Sequence, residues 1–200
     1  MEKFYLELPS LERKKEALEY LQEHIKYNSR INGSGGLNRC LDGMTYEEYI
    51  DDVIKCMNKE YAESKNLVTA TTYFTIRKSD NKIVGMVNFR HYLNESLKKC
   101  GGHIGYGIRP TERQKGYAKI QLYLTLLEAQ KMKIDKVMVD CINTNIASDK
   151  TIQALGGIFE EEYHDTKSNY TLNNYWINVN ESIEKYKDIY EAYIVKEKMK

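Results

Sequence analysis

The segment from Gly116 to about Met132 reads as a helix that is apolar on nearly every side, with Ala118, Ile120, Leu122, Leu124, Leu126 and Leu127 spread around it. Such a helix belongs in an interior, because no face of it suits water. Its neighbours supply the cover. Val68–Ile76 is rich in β-branched and aromatic residues, which favour strands. Ser79–Lys82 makes a turn, and Ile83–Phe89 returns as the hairpin partner. A third strand is expected over His103–Arg109 and another over Lys136–Cys141. A short helix follows at Ile146–Leu155, closed by Gly156 at a position suited to a left-handed residue. Strands at Ile158–His164 and Tyr170–Val179 precede a charged helix from Glu181 to the end.

Upstream, the pattern is a strand at Phe4–Leu8, stopped by Pro9. Ser10 then caps a helix whose face is Leu11, Leu18, Leu21 and Ile25. Ile31–Gly36 is a glycine-rich loop. A second helix starts at Thr45, with Glu48 completing a capping box, and carries Tyr46, Tyr49, Ile50, Val53 and Met57 as its stripe. The fold class is mixed α/β, with one central, mostly antiparallel sheet and helices on both faces. The 200 residues are expected to form one domain, its core at about 67–179.

Composition narrows the function. The 30 basic residues against 29 acidic ones give a net charge of +1, without the cationic excess of a sequence-independent nucleic-acid binder. No run approaches a membrane span, and the opening residues lack the apolar stretch of a signal peptide. The 4 cysteines show no pairing rhythm, which fits reduced thiols in a cytoplasmic protein. Cys100 and His103 have CxxH spacing, but no second matching pair makes a metal site.

The stretch Ile108-Arg109-Pro110-Thr111-Glu112-Arg113-Gln114-Lys115-Gly116-Tyr117-Ala118 lies between a strand and the buried helix. There, backbone N–H groups and a helix N-terminus can hold an anion. It resembles the Arg/Gln-x-x-Gly-x-Gly/Ala motif of the GNAT N-acetyltransferase superfamily, with Arg113, Gly116 and Ala118 in the defined positions. The order of elements, Gly85–His91, Gly101–Tyr106 and Asn145–Gly157 are also similar to a bacterial branch of predicted acetyltransferases.

The resemblance implies acetyl-coenzyme A as cofactor. A splayed strand pair would admit the pantetheine arm, with main-chain contacts from Ile108 and Tyr106. The amides of Arg113, Gln114, Lys115, Gly116, Tyr117 and Ala118 would hold the pyrophosphate. Asn145 would contact the pantetheine, with Ser148 one helical turn on; Asn145 also suits a helix N-cap. Acyl transfer to an amine needs a neutral nucleophile, so a base is sought. His103 is the leading candidate, on a strand face shared with Gly105 and Gly107, whose bare surface leaves room for a ligand; a buried histidine bonded to backbone is the alternative. Glu95 and Asp140 are further base candidates. Arg90 and His91, at the end of the preceding strand, are candidates to bind a carboxylate on the acceptor; a solvated rim is the alternative.

Two positions depart from the superfamily pattern. Ile152 stands where many members place the tyrosine that protonates the leaving thiolate, so Tyr106 or a water takes that role. Gly157 stands where phenylalanine is more usual, which would remove a wall of the pocket. The reading is an N-acetyltransferase acting on a small-molecule amine, without nucleic-acid or membrane partners, as a monomer or homodimer. The alternative is a coenzyme A-binding sensor without turnover. The tail beyond Glu181 is expected to pack on its own chain, with exchange in a dimer as the other arrangement.

Overall fold

A computed structural model describes residues 1–166 and 168–195. In chain order the elements are β1 (Phe4–Glu7), α1 (Lys14–Lys26), α2 (Tyr46–Lys55), α3 (Lys59–Ser64), β2 (Ala70–Arg77), β3 (Lys82–Arg90), α4 (Glu95–Lys99), β4 (Ile104–Ile108), α5 (Tyr117–Lys131), β5 (Lys136–Ile142), α6 (Ile146–Gln153), β6 (Ile158–Asp165), β7 (Tyr170–Asn178) and α7 (Val179–Tyr190). The fold is mixed α/β with antiparallel ladders. Hydrogen bonding divides the strands into β1-β2-β3-β4 and β5-β7-β6. The division falls between β4 and β5, where the expected central sheet splays.

Two apolar clusters lie on the two faces. One joins α5, α6 and α7 to the strands through residues such as Phe89, Leu122, Val139 and Ile177. The other joins α1 and α2 to Phe74, Ile76, Ile83 and Met86. Helix α5 is buried as its sequence requires, with Ile120 through Leu126 all inaccessible. The Thr45–Glu48 capping box forms as expected and starts α2.

Three expectations need correction. Helix α1 buries Ala17, Tyr20, Leu21 and His24, while Leu11 and Ile25 are exposed. A short 3-10 turn at Leu11–Arg13 precedes the helix, which rotates the face away from the one read off the leucines. The helices α3 and α4, of 6 and 5 residues, are too short to show a period. In the tail, Ile183 and Tyr190 are buried but Ile189 is exposed. The Tyr190 ring packs 5.2 Å from Tyr123 of α5, and Ile194 bridges to Phe4, so the described tail packs on its own chain. Residues 196–200 of that expected helix lie outside the described residues.

Candidate active site

After β4 the chain makes a 3-10 turn at Pro110–Glu112. It then takes left-handed angles at Gln114 (φ 62°) and Gly116 (φ 81°) before α5 begins. Those angles turn successive amides outward, and glycine adopts them at no steric cost. Among the described residues no protein acceptor takes the amides of Gln114 through Ala118. A Cβ on Gly116 would meet nothing within 4 Å, so the amides face open space. The side chains here point elsewhere. Arg113 Nε donates to Ile108 O (3.0 Å) and its Nη2 to Ser29 Oγ (2.6 Å). Lys115 Nζ donates to Glu112 (2.8 Å), and the Tyr117 ring packs 4.7 Å from Phe4. These residues offer the loop's backbone rather than their side chains.

Two clamps hold the loop in shape. Glu23 of α1 accepts from Thr111 N (2.9 Å) and Oγ1 (2.8 Å). On the other side the buried Glu112 carboxylate receives Arg77 (2.7 Å), Lys82 (3.0 Å) and Lys115 (2.8 Å). Burial alone would raise its pKa, but the hydrogen bonds from Arg77, Lys115 and Lys82 outweigh that and hold it at about 2. Sequence reasoning missed Glu112. Its signal was an acidic residue between Arg109, Arg113 and Lys115.

Strands β4 and β5 meet only at one end. There His103 N donates to Met138 O (2.7 Å), and Met138 N donates to His103 Nδ1 (2.9 Å). The bonds Arg90 N→His103 O (2.7 Å) and Arg109 N→Val84 O (2.8 Å) show which residues of β4 face β3. By the alternation of an antiparallel ladder, the main chains of Ile104, Tyr106 and Ile108 face the other way, into the splay. The Tyr106 hydroxyl crosses it to Ser148 Oγ (2.6 Å). Burial raises the Tyr106 pKa, so its proton stays on at neutral pH. Asn145 caps α6, its Oδ1 accepting from Ser148 N (3.2 Å), and thereby sets Ser148 in the first turn.

The departures at Ile152 and Gly157 are coupled. Ile152 is fully buried, and a Cβ on Gly157 would lie 2.5 Å from its Cγ2. The isoleucine therefore fills the space at Gly157, and no wall is lost there.

The bare face of Gly105 and Gly107 is only partly open. A Cβ on Gly107 would stand 2.8 Å from Asn32 O, and one on Gly33 would stand 2.5 Å from Gly105 O. The Ile31–Gly36 loop thus lies directly on β4, and the glycines permit that approach. The His103 ring is turned towards β5, with its edge near Trp176. Burial, then the Arg90 charge, lowers its pKa to about 4. With Nδ1 accepting a backbone hydrogen bond, it is a poor base, and the structure places it at the strut where the sheets join.

Beside Gly105 opens a cavity of about 590 Å³, walled by the Ile31–Gly36 loop, α2, the ends of β2 and β3, and α4. Arg90 lines it. His91 is not among the residues that line it; its Nε2 bonds Thr71 Oγ1 (2.9 Å) and burial lowers its pKa. Asp140 accepts from Gly101 N and burial raises its pKa. Glu95 is exposed and pairs with Lys98.

A family model described as an acetyltransferase (GNAT) domain matches residues 36–158. The chain belongs to the GNAT acetyltransferase family. Solved structures share its fold at low identity. The ribosomal-protein-S5-alanine acetyltransferase from Vibrio fischeri has a TM-score of 0.65 and 17% identity, covering 90% of this chain and 95% of that one. The microcin C7 self-immunity acetyltransferase, solved with acetyl-CoA and AMP, has a TM-score of 0.61 and 19% identity, covering 88% and 92%. A spermidine N-acetyltransferase chimera from Vibrio cholerae and a second source has a TM-score of 0.60 and 10% identity, covering 91% and 99%. No curated protein matches this acetyltransferase in sequence. Among its described residues no helix is long and apolar enough to cross a membrane, and no group of side chains is set to hold a metal.

Proposed function

We propose that the chain moves the acetyl group of acetyl-coenzyme A onto the amine of a small molecule. One observation carries this reading: outward amides from Gln114 to Ala118 and the Gly105 cavity lie at opposite ends of β4, whose outer main-chain edge, with only Ile108 O taken by Arg113 among the described residues, runs between them. The residues fit the cofactor, since the cradle suits a diphosphate and the main chain of Tyr106 with the Ile108 N–H suits an extended amide-bearing arm. When bound, acetyl-CoA supplies the acetyl thioester. The amides of Gln114–Ala118 would hold its diphosphate, and the main chain of Tyr106 and the N–H of Ile108, whose carbonyl is taken by Arg113, would orient the arm.

A backbone N–H on that edge is placed to stabilise a developing oxyanion. The Tyr106–Ser148 hydroxyl pair carries the proton for the departing sulfur, taking the part that Ile152 cannot. His103 keeps the mouth of the splay closed. A small acceptor is favoured because the cavity has the size of a small-molecule site. The acceptors named for the structural neighbours, a ribosomal-protein alanine and spermidine, differ from one another and do not choose for this chain.

Calorimetry with acetyl-CoA, followed by thiol release against an amine panel, tests the reading. Heat of binding and acceptor-dependent release are expected. Absence of heat overturns it, and tight binding without release for any amine supports a sensor instead.

A further inference from the structure

We propose that the acceptor carries a carboxylate within a few bonds of its amine, and that Arg90 receives this carboxylate in the Gly105 cavity. The proposal rests on the acetyl-transfer reading and adds the substrate class.

Arg90 is the last residue of β3. Its Nη1 donates to Gly101 O (2.6 Å) and Gly102 O (2.9 Å). Those two bonds fix the plane of the guanidinium. Its opposite edge, formed by Nε and Nη2, has no hydrogen-bond partner among the described residues. That edge is a two-donor fork of the spacing that a carboxylate accepts in parallel. It looks over glycine's bare surface, because Nη2 lies 3.8 Å from where a Cβ on Gly105 would stand.

Of the charged residues lining the cavity, Arg39, Asp52 and Arg90, Arg90 is the one without an ion pair among the described residues, although the Asp140 charge acts on it. Arg39 and Asp52, on the opposite wall, pair with each other, and the Tyr61 hydroxyl adds a 2.6 Å bond to Asp52. Asp140 is the opposite charge nearest Arg90, but it gives its Oδ2 to Gly101 N and forms no ion pair with Arg90 among the described residues. The half-buried guanidinium keeps Nε and Nη2 for a ligand, and a carboxylate there makes a charge-assisted pair.

Position then limits the acceptor. Gly105 precedes Tyr106, and consecutive strand residues are about 3.3 Å apart. A carboxylate on Arg90 therefore leaves its amine beside the edge that orients the thioester only if few bonds separate them. Free amino acids and similar amino acids with a short spacer meet that condition. Polyamines and peptide N-termini lack the carboxylate.

The test compares each common amino acid with its carboxamide as acceptor, following thiol release from acetyl-CoA by the full-length chain. At least one acid is expected to exceed its amide in kcat/KM by about tenfold to hundredfold, the usual worth of a charge-assisted pair. Arg90→Gln should bring that ratio near one, Arg90→Lys should keep part of it, and calorimetry should find acetyl-CoA binding unchanged in both. Amides used as well as acids, or acetylation confined to polyamines or peptide N-termini, would overturn the assignment and leave acetyl transfer standing. Acetyl-CoA bound with no acid consumed also overturns it. A chain that binds no acetyl-CoA overturns the underlying reading too. Since the acid-to-amide ratio is read first on the unaltered chain, a misfolded variant does not remove the test.

Discussion

Replacing Glu112 by glutamine removes the negative charge that Arg77, Lys82 and Lys115 share. The carboxyl titrates at about 2 in the folded chain against its usual 4.5. A depressed carboxylate pKa stabilises the fold fully above the unfolded value, and that stability is lost as pH falls through the folded value. At about 1.36 kcal/mol per pH unit, the gap is worth on the order of 3 kcal/mol at pH 7. At pH 3, between the two values, roughly half of it remains. Urea unfolding of both chains from pH 7 down to pH 3 checks this: Glu112→Gln should be about 3 kcal/mol less stable at pH 7, and the difference should shrink towards about half at pH 3. Acetyl-CoA affinity should fall as well, because the 3-10 turn that sets the outward amides loses its anchor. A difference that stays constant with pH, or one below about 1 kcal/mol at pH 7, would refute the argument that the three cations depend on this charge.

Other perturbations separate structural from chemical roles. Gly107→Ala should cost about 1–3 kcal/mol by overpacking against Asn32 O, seen as a lower urea midpoint, together with a disturbed acceptor KM. Tyr106→Phe should lower kcat by about 100-fold or more while calorimetric acetyl-CoA affinity changes little; equal losses in both would assign the hydroxyl to packing. The His103 imidazole should show no NMR titration between pH 8 and pH 6, where an ordinary histidine titrates, since its pKa is lowered to about 4. Its contribution to stability is present above the usual 6.5 and lost as pH falls through about 4. Thr45→Ala should cost about 1 kcal/mol through the lost cap, with acetyl transfer unchanged.

Much of the fold could be read before any coordinates. The β2–β3 hairpin, the apolar α5 and the Thr45 cap each depend on residues close in sequence, so local propensity and period suffice. The same holds for the loop between β4 and α5, where glycine and a following helix imply outward amides. Side-chain direction was less legible. The leucines of α1 suggested one face, but Tyr20 and His24 fill the buried one, because a tyrosine body packs as well as a leucine. Of the two roles left open for His103, which directly precedes β4, the structure matches the buried histidine bonded to backbone, and sequence could not choose because the partner, Met138, is 35 residues away.

The sequence by itself determined where the strands and the longer helices form and where the chain must turn before α5. These follow from backbone sterics and the spacing of apolar groups, which act over a few residues. Only the tertiary structure decided what the remaining polar groups do. It brought Lys82 and Arg77 onto Glu112, laid Asn32 and Gly33 across β4, and left one edge of Arg90 unpaired. Electrostatic and steric contacts of that kind depend on distances across the fold, which the order of residues along the chain does not contain.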